Sequence, residues 1–246
     1  MKEVFISDIS AWAPGIGDEQ AKWQDWLDGK TQIEQSKESP KLEYTDPLFR
    51  RRLSQITKMT VHVIHNLLEK TNVDKNTKIV FVSLRGEIER EFTINKSLIE
   101  EKMILPAAFS LSVFNTPVSS ATLAFGLKGG YSVIFPSKNN FADAFKTAVS
   151  PVLAGTEEKI IFVYADELVP DYYGDKRPKE NIPCAFSFLV NSKENAENNV
   201  EAIKMTANDF DEISVSPVDF LKYILNCFSK DKKGEKNGRT YKKRIR

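Results

Sequence analysis

The longest regular pattern of apolar positions predicts a helix that follows three consecutive arginines and ends near Lys70. Its apolar residues recur at the 3.6-residue spacing that places them on one face. His62 and His65 lie three positions apart in this helix, a spacing that could offer two imidazoles to a metal ion. Both fall on the side away from the apolar stripe, and no H-E-x-x-H motif or cysteine accompanies them. We therefore expect two solvated histidines and no metal. The stripe itself consists of Leu53, Ile56, Thr60, Val63, Ile64, Leu67 and Leu68.

Short, uninterrupted apolar runs predict strands of a sheet that is covered on both faces. Three such runs lie at residues 78–84, 131–135 and 159–165, and helical stretches separate them. This alternation implies crossover connections between parallel strands. The predicted fold class is therefore layered α/β, with a mixed and mostly parallel central sheet. The remaining predicted elements are strands at residues 2–9, 185–191 and 200–207, a short helix between Asp18 and Gly29, helices near 119–125 and at 87–102 and 140–153, and a last helix that starts at Ser216.

The composition is that of a globular domain. The chain contains 246 residues, of which 41% are hydrophobic and 16 are Phe, which is enough for one core without metal or disulfide staples. Cys184 and Cys227 belong to no C-x-x-C pair, so we expect buried free thiols. No run of about eighteen apolar residues occurs, and the first residues resemble a strand rather than a signal peptide. We therefore expect a cytoplasmic protein with no membrane span.

The net charge of +1 conceals a basic C-terminal stretch. Residues 229–246 contain nine Lys or Arg and two acidic residues, whereas residues 1–228 are mildly acidic. We expect a single domain over residues 1–228 and a solvated, disordered tail over residues 229–246. A binding module that uses this tail for nucleic acid, anionic lipid or an acidic protein is an alternative. The favoured interpretation has no nucleic-acid partner.

A buried strand at residues 131–135, a tight turn and a helix form the arrangement that presents a nucleophile at a strand-to-helix elbow. Around it, several segments resemble the N-terminal half of a β-ketoacyl synthase, which has a thiolase-like fold. Other segments are more similar to the short synthase-like proteins of aryl polyene and flexirubin pigment clusters, the chain-length factors. The first group comprises residues 4–15, 23–29, 78–84, 114–115 and 125–129; the second comprises residues 50–54 with Met59, 109–115 and 162–170, and the resemblance covers most of residues 1–207.

The resemblance implies a condensing enzyme that carries its acyl chain on a cysteine thiolate and uses two histidines for proton transfer and polarisation. In true synthases the cysteine follows the elbow strand, and the histidines come from the second half of the duplicated fold. Residues 133–140 contain no cysteine, and His62 and His65 belong to another helix. We therefore expect no catalytic residue, no cofactor and no condensation by this chain alone. Ser137 is an alternative nucleophile, for an acyltransferase or thioesterase, although no base is visible beside it.

The resemblance also implies partners, because synthases of this family are dimers whose elbow strands pair across a two-fold axis. The expected pairing residues here are Tyr131, Val133 and Phe135. The expected partner is an active ketosynthase, in a heterodimer served by an acyl carrier protein. A homodimer is the alternative when this chain is alone.

A second segment is expected at the far end of the partner's acyl tunnel. By resemblance, Val113 occupies the position that touches this end, and Phe114, Asn115 and Phe109 lie beside it. Val113, Phe114 and Phe109 are the candidates for a plug that limits chain length, with plain core packing as the alternative for each. The resulting hypothesis is a non-catalytic chain-length factor that shapes the partner's tunnel in type II polyketide or fatty-acid-like polyene synthesis.

Asp166 and Glu167 are adjacent carboxylates at the end of a predicted strand. Neighbouring residues on a strand point to opposite faces of the sheet. We therefore do not expect a two-carboxylate acid–base device at this position.

Overall fold

The computed structural model describes residues 3–193 and 202–231. Within these residues, six strands form one sheet in the order β3-β2-β4-β5-β1-β6. The strands are β1 (Glu3–Trp12), β2 (Lys78–Val82), β3 (Tyr131–Ile134), β4 (Lys159–Asp166), β5 (Cys184–Asn191) and β6 (Ile203–Thr206). The helices are α1 (Gln20–Leu27), α2 (Pro47–Arg51), α3 (Gln55–Lys70), α4 (Ile88–Glu101), α5 (Pro106–Phe109), α6 (Thr116–Phe125), α7 (Phe141–Ala154), α8 (Ala207–Asp211) and α9 (Pro217–Asp231).

The strand directions confirm the predicted fold class. Strand β2 is parallel to both β3 and β4, whereas β5 is antiparallel to β4 and to β1. Strand β6 is antiparallel to β1. Four of the six strands in the described sheet, β3, β2, β4 and β1, therefore point the same way. The chain has a layered α/β fold with a mixed sheet, and β3 is one of its two edge strands.

Helices cover both faces of the sheet. Along each central strand, successive side chains alternate between the two faces, as pleated geometry requires. One layer contains α1, α7, α8 and α9, and the opposite layer contains α3 and α6. In β4, the first layer receives Ile160, Phe162 and Tyr164, and the second receives Ile161, Val163 and Ala165.

Phenylalanines fill the space between α7, the sheet and α9. Phe145 of α7 lies at the centre, with its ring centroid 5.2 Å from that of Phe162 and 4.8 Å from that of Phe220. All three side chains are fully buried. Aromatic rings in such tilted and edge-on contacts contribute both apolar burial and favourable ring geometry. The remaining members of the cluster are Phe141, Phe186, Phe188 and Phe210.

Helix α3 ends at Lys70, as predicted, and begins at Gln55, so Leu53 of the predicted stripe lies just before it. The Ser54 hydroxyl caps it by accepting a hydrogen bond of 3.2 Å from the Thr57 amide. The helix lies directly on β5, where the small side chain of Ser187 donates a hydrogen bond of 2.8 Å to the Val63 carbonyl. Loop residues and α6 cover much of the other side, so most of α3 is buried.

Part of the predicted C-terminal organisation lies outside the described residues. Helix α9 continues to Asp231, beyond the expected domain boundary after residue 228. Residues 232–246 of the predicted tail, and residues 200–201 of the predicted last strand, are outside the described ranges. Cys184 is buried and Cys227 is half-buried, and neither forms a disulfide bond within the described residues. None of the helices in residues 3–193 and 202–231 has the length and apolarity needed to cross a membrane.

The phenylalanine cluster should dominate the stability of the domain. We expect Phe145→Ala to lower the free energy of unfolding by about 3–5 kcal/mol, because it leaves a cavity among rings that cannot collapse fully. Urea unfolding measures the change. Leu123→Ala, at a side chain that is 81% exposed, is the control and should shift the value by less than about 0.5 kcal/mol. Equal effects of the two substitutions would contradict the central role of this cluster.

Candidate functional site

The elbow lies between strand β3 and helix α7. Pro136 is buried, whereas Ser137 and Lys138 are exposed in a single turn of 3₁₀ helix. Lys138 has φ 56° and ψ 26°, a left-handed conformation that is uncommon for a residue with a side chain. The sharp turn of a nucleophile elbow is therefore present. Its left-handed position carries the amine side chain of Lys138.

Two of the amide donors at the start of α7 have partners within the chain. The Phe141 amide donates a hydrogen bond of 3.2 Å to the Val215 carbonyl, which comes from the loop before α9. The Asp143 amide donates to the Asn140 side chain at 3.3 Å, and that side chain donates in return to the Asp143 carboxylate at 2.6 Å. A helix N-terminus normally offers such donors to an anion. Here two of these donors are engaged, and a carboxylate occupies the first turn.

Ser137 has no visible activating base. Among the residues that the structure describes, no imidazole or carboxylate is hydrogen-bonded to its hydroxyl. His62 and His65 lie on α3, on the face of the sheet opposite α7. A serine nucleophile requires an adjacent base that removes its proton. The geometry therefore gives the alternative acyltransferase or thioesterase function no support.

The expectation that both histidines are solvated is wrong for His62. Its side chain is buried, and its Nε2 lies 2.8 Å from both carboxylate oxygens of Asp18. Its Nδ1 lies 3.2 Å from the Tyr44 hydroxyl, and the Tyr44 ring stacks on His65 with centroids 3.5 Å apart. The loop before α2 therefore covers the polar side of the helix. No set of three or more His, Cys, Asp or Glu side chains within the described ranges could hold a metal ion.

Seven exposed apolar side chains, here together called the apolar surface, come from the segment between the end of α4 and the loop before α6 and from Phe135, just after the elbow strand. Isolated exposed apolar residues are ordinary, but a contiguous stretch of sequence that exposes many of them indicates an interaction site. Its members are between 43% and 68% exposed: Leu98, Ile99, Met103, Leu105, Phe109, Val113 and Phe135.

The structure brings part of the expected plug segment into contact with the expected pairing strand. The Phe114 and Phe135 rings pack with centroids 4.7 Å apart, and the Asn115 amide donates a hydrogen bond of 3.0 Å to the Tyr131 hydroxyl. Phe114 and Asn115 are half-buried, as are Tyr131 and Val133. Phe109 and Val113, by contrast, are exposed, so neither packs in the core of this chain.

Three buried carboxylates lie beside the ends of β2 and β4. Asp166 accepts hydrogen bonds from the Ser83 hydroxyl and the Tyr164 hydroxyl, both at 2.7 Å. Glu167 accepts from the Glu89 amide at 3.0 Å, at the start of α4. The third carboxylate was not singled out from the sequence: Glu87 accepts from the Ser54 and Thr57 hydroxyls at the start of α3 and from Arg90.

Burial changes the protonation of this cluster. It is the main cause that raises the pKa of Glu167 to about 8, and the negative charge of Glu87 raises it further. Burial also raises the pKa of Glu87, although hydrogen bonds from Thr57 and Ser54 and the charge of Arg90 oppose the shift. Burial therefore disfavours two negative charges on this pair.

The comparison with protein families identifies the class of protein. The model of the β-ketoacyl synthase N-terminal domain matches residues 23–240, and the chain belongs to this family. The expected resemblance and the thiolase-like fold are thereby confirmed. No curated protein matches the sequence significantly.

Solved structures show the same fold. One similar chain comes from the ketosynthase ApeO in complex with its chain length factor ApeC from Xenorhabdus doucetiae, at 25% identity and a TM-score of 0.68, and the match covers 78% of this chain and 80% of that one. Another comes from the ishigamide ketosynthase/chain length factor, at 15% identity and a TM-score of 0.62, and the match covers 79% of this chain and 63% of that one. A third comes from AntDE:AntF, a type II polyketide synthase acyl carrier protein in complex with its ketosynthase. The identity is 14% and the TM-score 0.65, and the match covers 84% of this chain and 68% of that one.

The Glu167 proton should make folding depend on pH. The native state keeps this proton up to about pH 8, whereas the unfolded chain loses it near pH 4.5. The stabilising contribution is therefore fully present below pH 4.5 and is lost as the pH rises to about 8, by up to about 1.4 kcal/mol per pH unit. We expect Glu167→Gln, which keeps an acceptor for the Glu89 amide, to flatten this fall.

Urea unfolding between about pH 5 and pH 9 measures the effect. The free energy of unfolding of Glu167→Gln, relative to that of the unmodified chain, should increase as the pH rises. Glu101→Gln, at an exposed position near the end of α4, is the control and should follow the unmodified chain. A parallel pH dependence for Glu167→Gln and the unmodified chain would show that Glu167 is not protonated in the native state.

Proposed function

We propose that this chain is a non-catalytic chain-length factor that pairs with an active ketosynthase in type II polyketide or fatty-acid-like polyene synthesis and shapes the partner's acyl tunnel. The observation that carries the proposal is the elbow after β3. It has the architecture from which a synthase presents its nucleophile, yet Ser137 and Lys138 stand there without a thiol. The amides that would face an anion at the start of α7 are bound by Val215 and Asn140.

The chemistry of condensation requires groups that the described site does not contain. The acyl chain must be held by a thiolate, and imidazoles must assist decarboxylation of the extender unit. Cys184 is fully buried, and burial followed by the nearby Asp166 charge raises the pKa of its thiol to about 12. A thiol of this kind stays protonated at neutral pH and is a poor nucleophile. These features support a contribution of shape rather than of reacting groups.

The edge strand and the apolar surface support a partner. Strand β3 presents one unpaired side of its backbone, and unprotected strand edges tend to pair with another chain. Phe109 and Val113 expose apolar area in the segment whose Phe114 and Asn115 contact the elbow strand and the residue after it. Burial of such area by a second subunit stabilises an interface. In the absence of the ketosynthase, we expect the same surface to pair two copies of this chain.

The similar complexes support the choice of partner. The structure from Xenorhabdus doucetiae contains a ketosynthase and its chain length factor, and the match covers nearly equal shares of the two aligned chains. The aligned chain is therefore of similar length to this one. An acyl carrier protein would be the further partner of the assembly, because it must deliver the growing chain to the ketosynthase.

Side-chain volume is sufficient for the proposed role. A tunnel that ends against Phe109, Val113 and Phe114 accepts an acyl chain until its terminal carbons meet these side chains. Burial of each further methylene of the acyl chain in apolar space contributes about 0.8 kcal/mol of binding free energy, and a methylene that does not fit loses this contribution. A small change in the position of one ring can therefore shift the preferred chain length.

A single charged substitution on the apolar surface tests whether this surface binds the ketosynthase. We expect Phe109→Asp to abolish co-purification with the ketosynthase of the same gene cluster, because a carboxylate would be buried without a partner. Leu48→Asp, at a side chain that is 70% exposed on α2, is the matched control and should co-purify normally. Both variants should keep the thermal unfolding temperature of the unmodified chain. Normal co-purification of Phe109→Asp would exclude this surface as the interface.

The absence of acyl transfer is tested by mass spectrometry. After incubation of the purified heterodimer with acyl-loaded carrier protein, we expect an acyl adduct on the ketosynthase and none on this chain. Reaction of the ketosynthase serves as the internal positive control. A stoichiometric adduct on Ser137 or Lys138 would overturn the proposal, and its loss in Ser137→Ala or Lys138→Ala would locate the reacting group.

A further inference from the structure

Gly86 lies in the loop between β2 and α4 and is in direct contact with the expected plug. Its backbone has φ +63°, a conformation that glycine adopts without steric cost. A Cβ built on this residue would lie 2.7 and 2.8 Å from two ring carbons of Phe114. Such distances are well inside van der Waals contact, so the Phe114 ring occupies the space that a side chain at position 86 would need.

The loop that carries Gly86 is held in place by hydrogen bonds. The fully buried Asp166 carboxylate accepts from the Leu84 and Arg85 amides, both at 3.1 Å, and from the Ser83 hydroxyl at 2.7 Å. The Ser83 hydroxyl oxygen in turn accepts from the Gly86 amide at 2.8 Å. The loop backbone is therefore fixed more firmly than the ring it contacts.

The Phe114 ring has an exposed neighbour. Its ring plane is tilted by 51° to that of Phe135, with centroids 4.7 Å apart, and the Phe135 side chain is 56% exposed. An atom added at position 86 would press on Phe114, and Phe135 has the freedom to move with it. Displacement of the Phe114 and Phe135 rings would therefore move them toward the apolar surface.

We propose that Gly86 is a specificity-determining residue: by lacking a side chain, it sets how far the Phe114–Phe135 pair protrudes and therefore the longest acyl chain that the tunnel accepts. This inference rests on the proposed function. A methyl group at position 86 pushes the ring pair into the tunnel and shortens the product. A smaller side chain at position 114 has the opposite effect.

The test compares two glycines with the same backbone conformation. Gly126 has φ +64°, and a Cβ there would meet nothing within 4 Å. Gly86→Ala and Gly126→Ala therefore impose the same backbone cost, but only the first touches the plug. Each variant is co-expressed with the ketosynthase of the same gene cluster, and the products released from the carrier protein are sized by mass spectrometry.

We expect Gly86→Ala to shift the main product to a chain shorter by at least one extension unit and Gly126→Ala to leave it unchanged. Phe114→Leu should lengthen the product, and the double variant Gly86→Ala/Phe114→Leu should make a shorter product than Phe114→Leu alone. The double variant has room for the added methyl group, so this comparison decides the question even where Gly86→Ala alone does not fold.

The outcomes separate this inference from the proposed function. Suppose that the unmodified chain binds the ketosynthase and limits the length of its products. If Gly86→Ala then gives the same product length as the unmodified chain, and Gly86→Ala/Phe114→Leu the same length as Phe114→Leu, the role of Gly86 is overturned and the proposed function stands. If the unmodified chain neither binds the ketosynthase nor alters its products, both are overturned. A shift in length with Gly126→Ala as large as that with Gly86→Ala would also overturn the inference.

Discussion

The buried carboxylate of Asp166 is the constraint on which the surface around the elbow depends. It closes the end of β4 and binds the loop after β2 through one hydroxyl and two backbone amides. Burial of a carboxylate is costly unless its oxygens are satisfied. Here the Tyr164 hydroxyl donates to the second oxygen, and the Arg85 guanidinium lies 3.8 Å from it. Because each oxygen has partners, these bonds hold the loop in place, and the Phe114 ring packs against Gly86 of the loop.

The exposed edge of β3 is the second constraint, and it explains why the chain is expected to be half of an interface. Natural sheets usually protect an edge strand with a charged residue, a proline or a bulge. Strand β3 consists of Tyr131, Ser132, Val133 and Ile134 and has none of these within it. Its neighbours on the apolar surface are equally unprotected. A chain with an open strand edge and an exposed apolar surface gains stability when a second subunit covers both. A protein that acts as a monomer usually avoids these two features, whereas a subunit that pairs with another retains them.

The sequence predicts the layered fold because its signals are local. The 3.6-residue period of α3 and the apolar runs of β2 and β4 are readable within short windows. The missing cysteine after β3 is equally visible. The surroundings of His62 were not predicted, because the period of a helix gives its sides but not the loop that folds over one of them. The partners of His62 come from Asp18 and Tyr44, both in segments without regular periodicity.

The least predictable part of the site consists of contacts between residues that are far apart in the chain. The Val215 carbonyl that binds the start of α7 lies more than seventy positions after it. The proximity of Glu87 to Glu167 is likewise a product of the parallel pairing of β2 with β4. No local pattern encodes such contacts, since they depend on which strands become neighbours. The lack of a cysteine in residues 133–140 is therefore readable from the sequence, whereas the engaged amides at the start of α7 required the structure.

A raised acid pKa is commonly a sign of a catalytic group, and the position of Glu167 decides against that interpretation here. A catalytic acid must reach substrate, but Glu167 is 1% exposed and Glu87 is fully buried. Their oxygens accept hydrogen bonds from the first turns of α3 and α4, so the pair fastens two helix starts. Under the proposed function, such fixed helix starts would matter, because a plug limits the length of the acyl chain only if the plug backbone keeps its position against that chain.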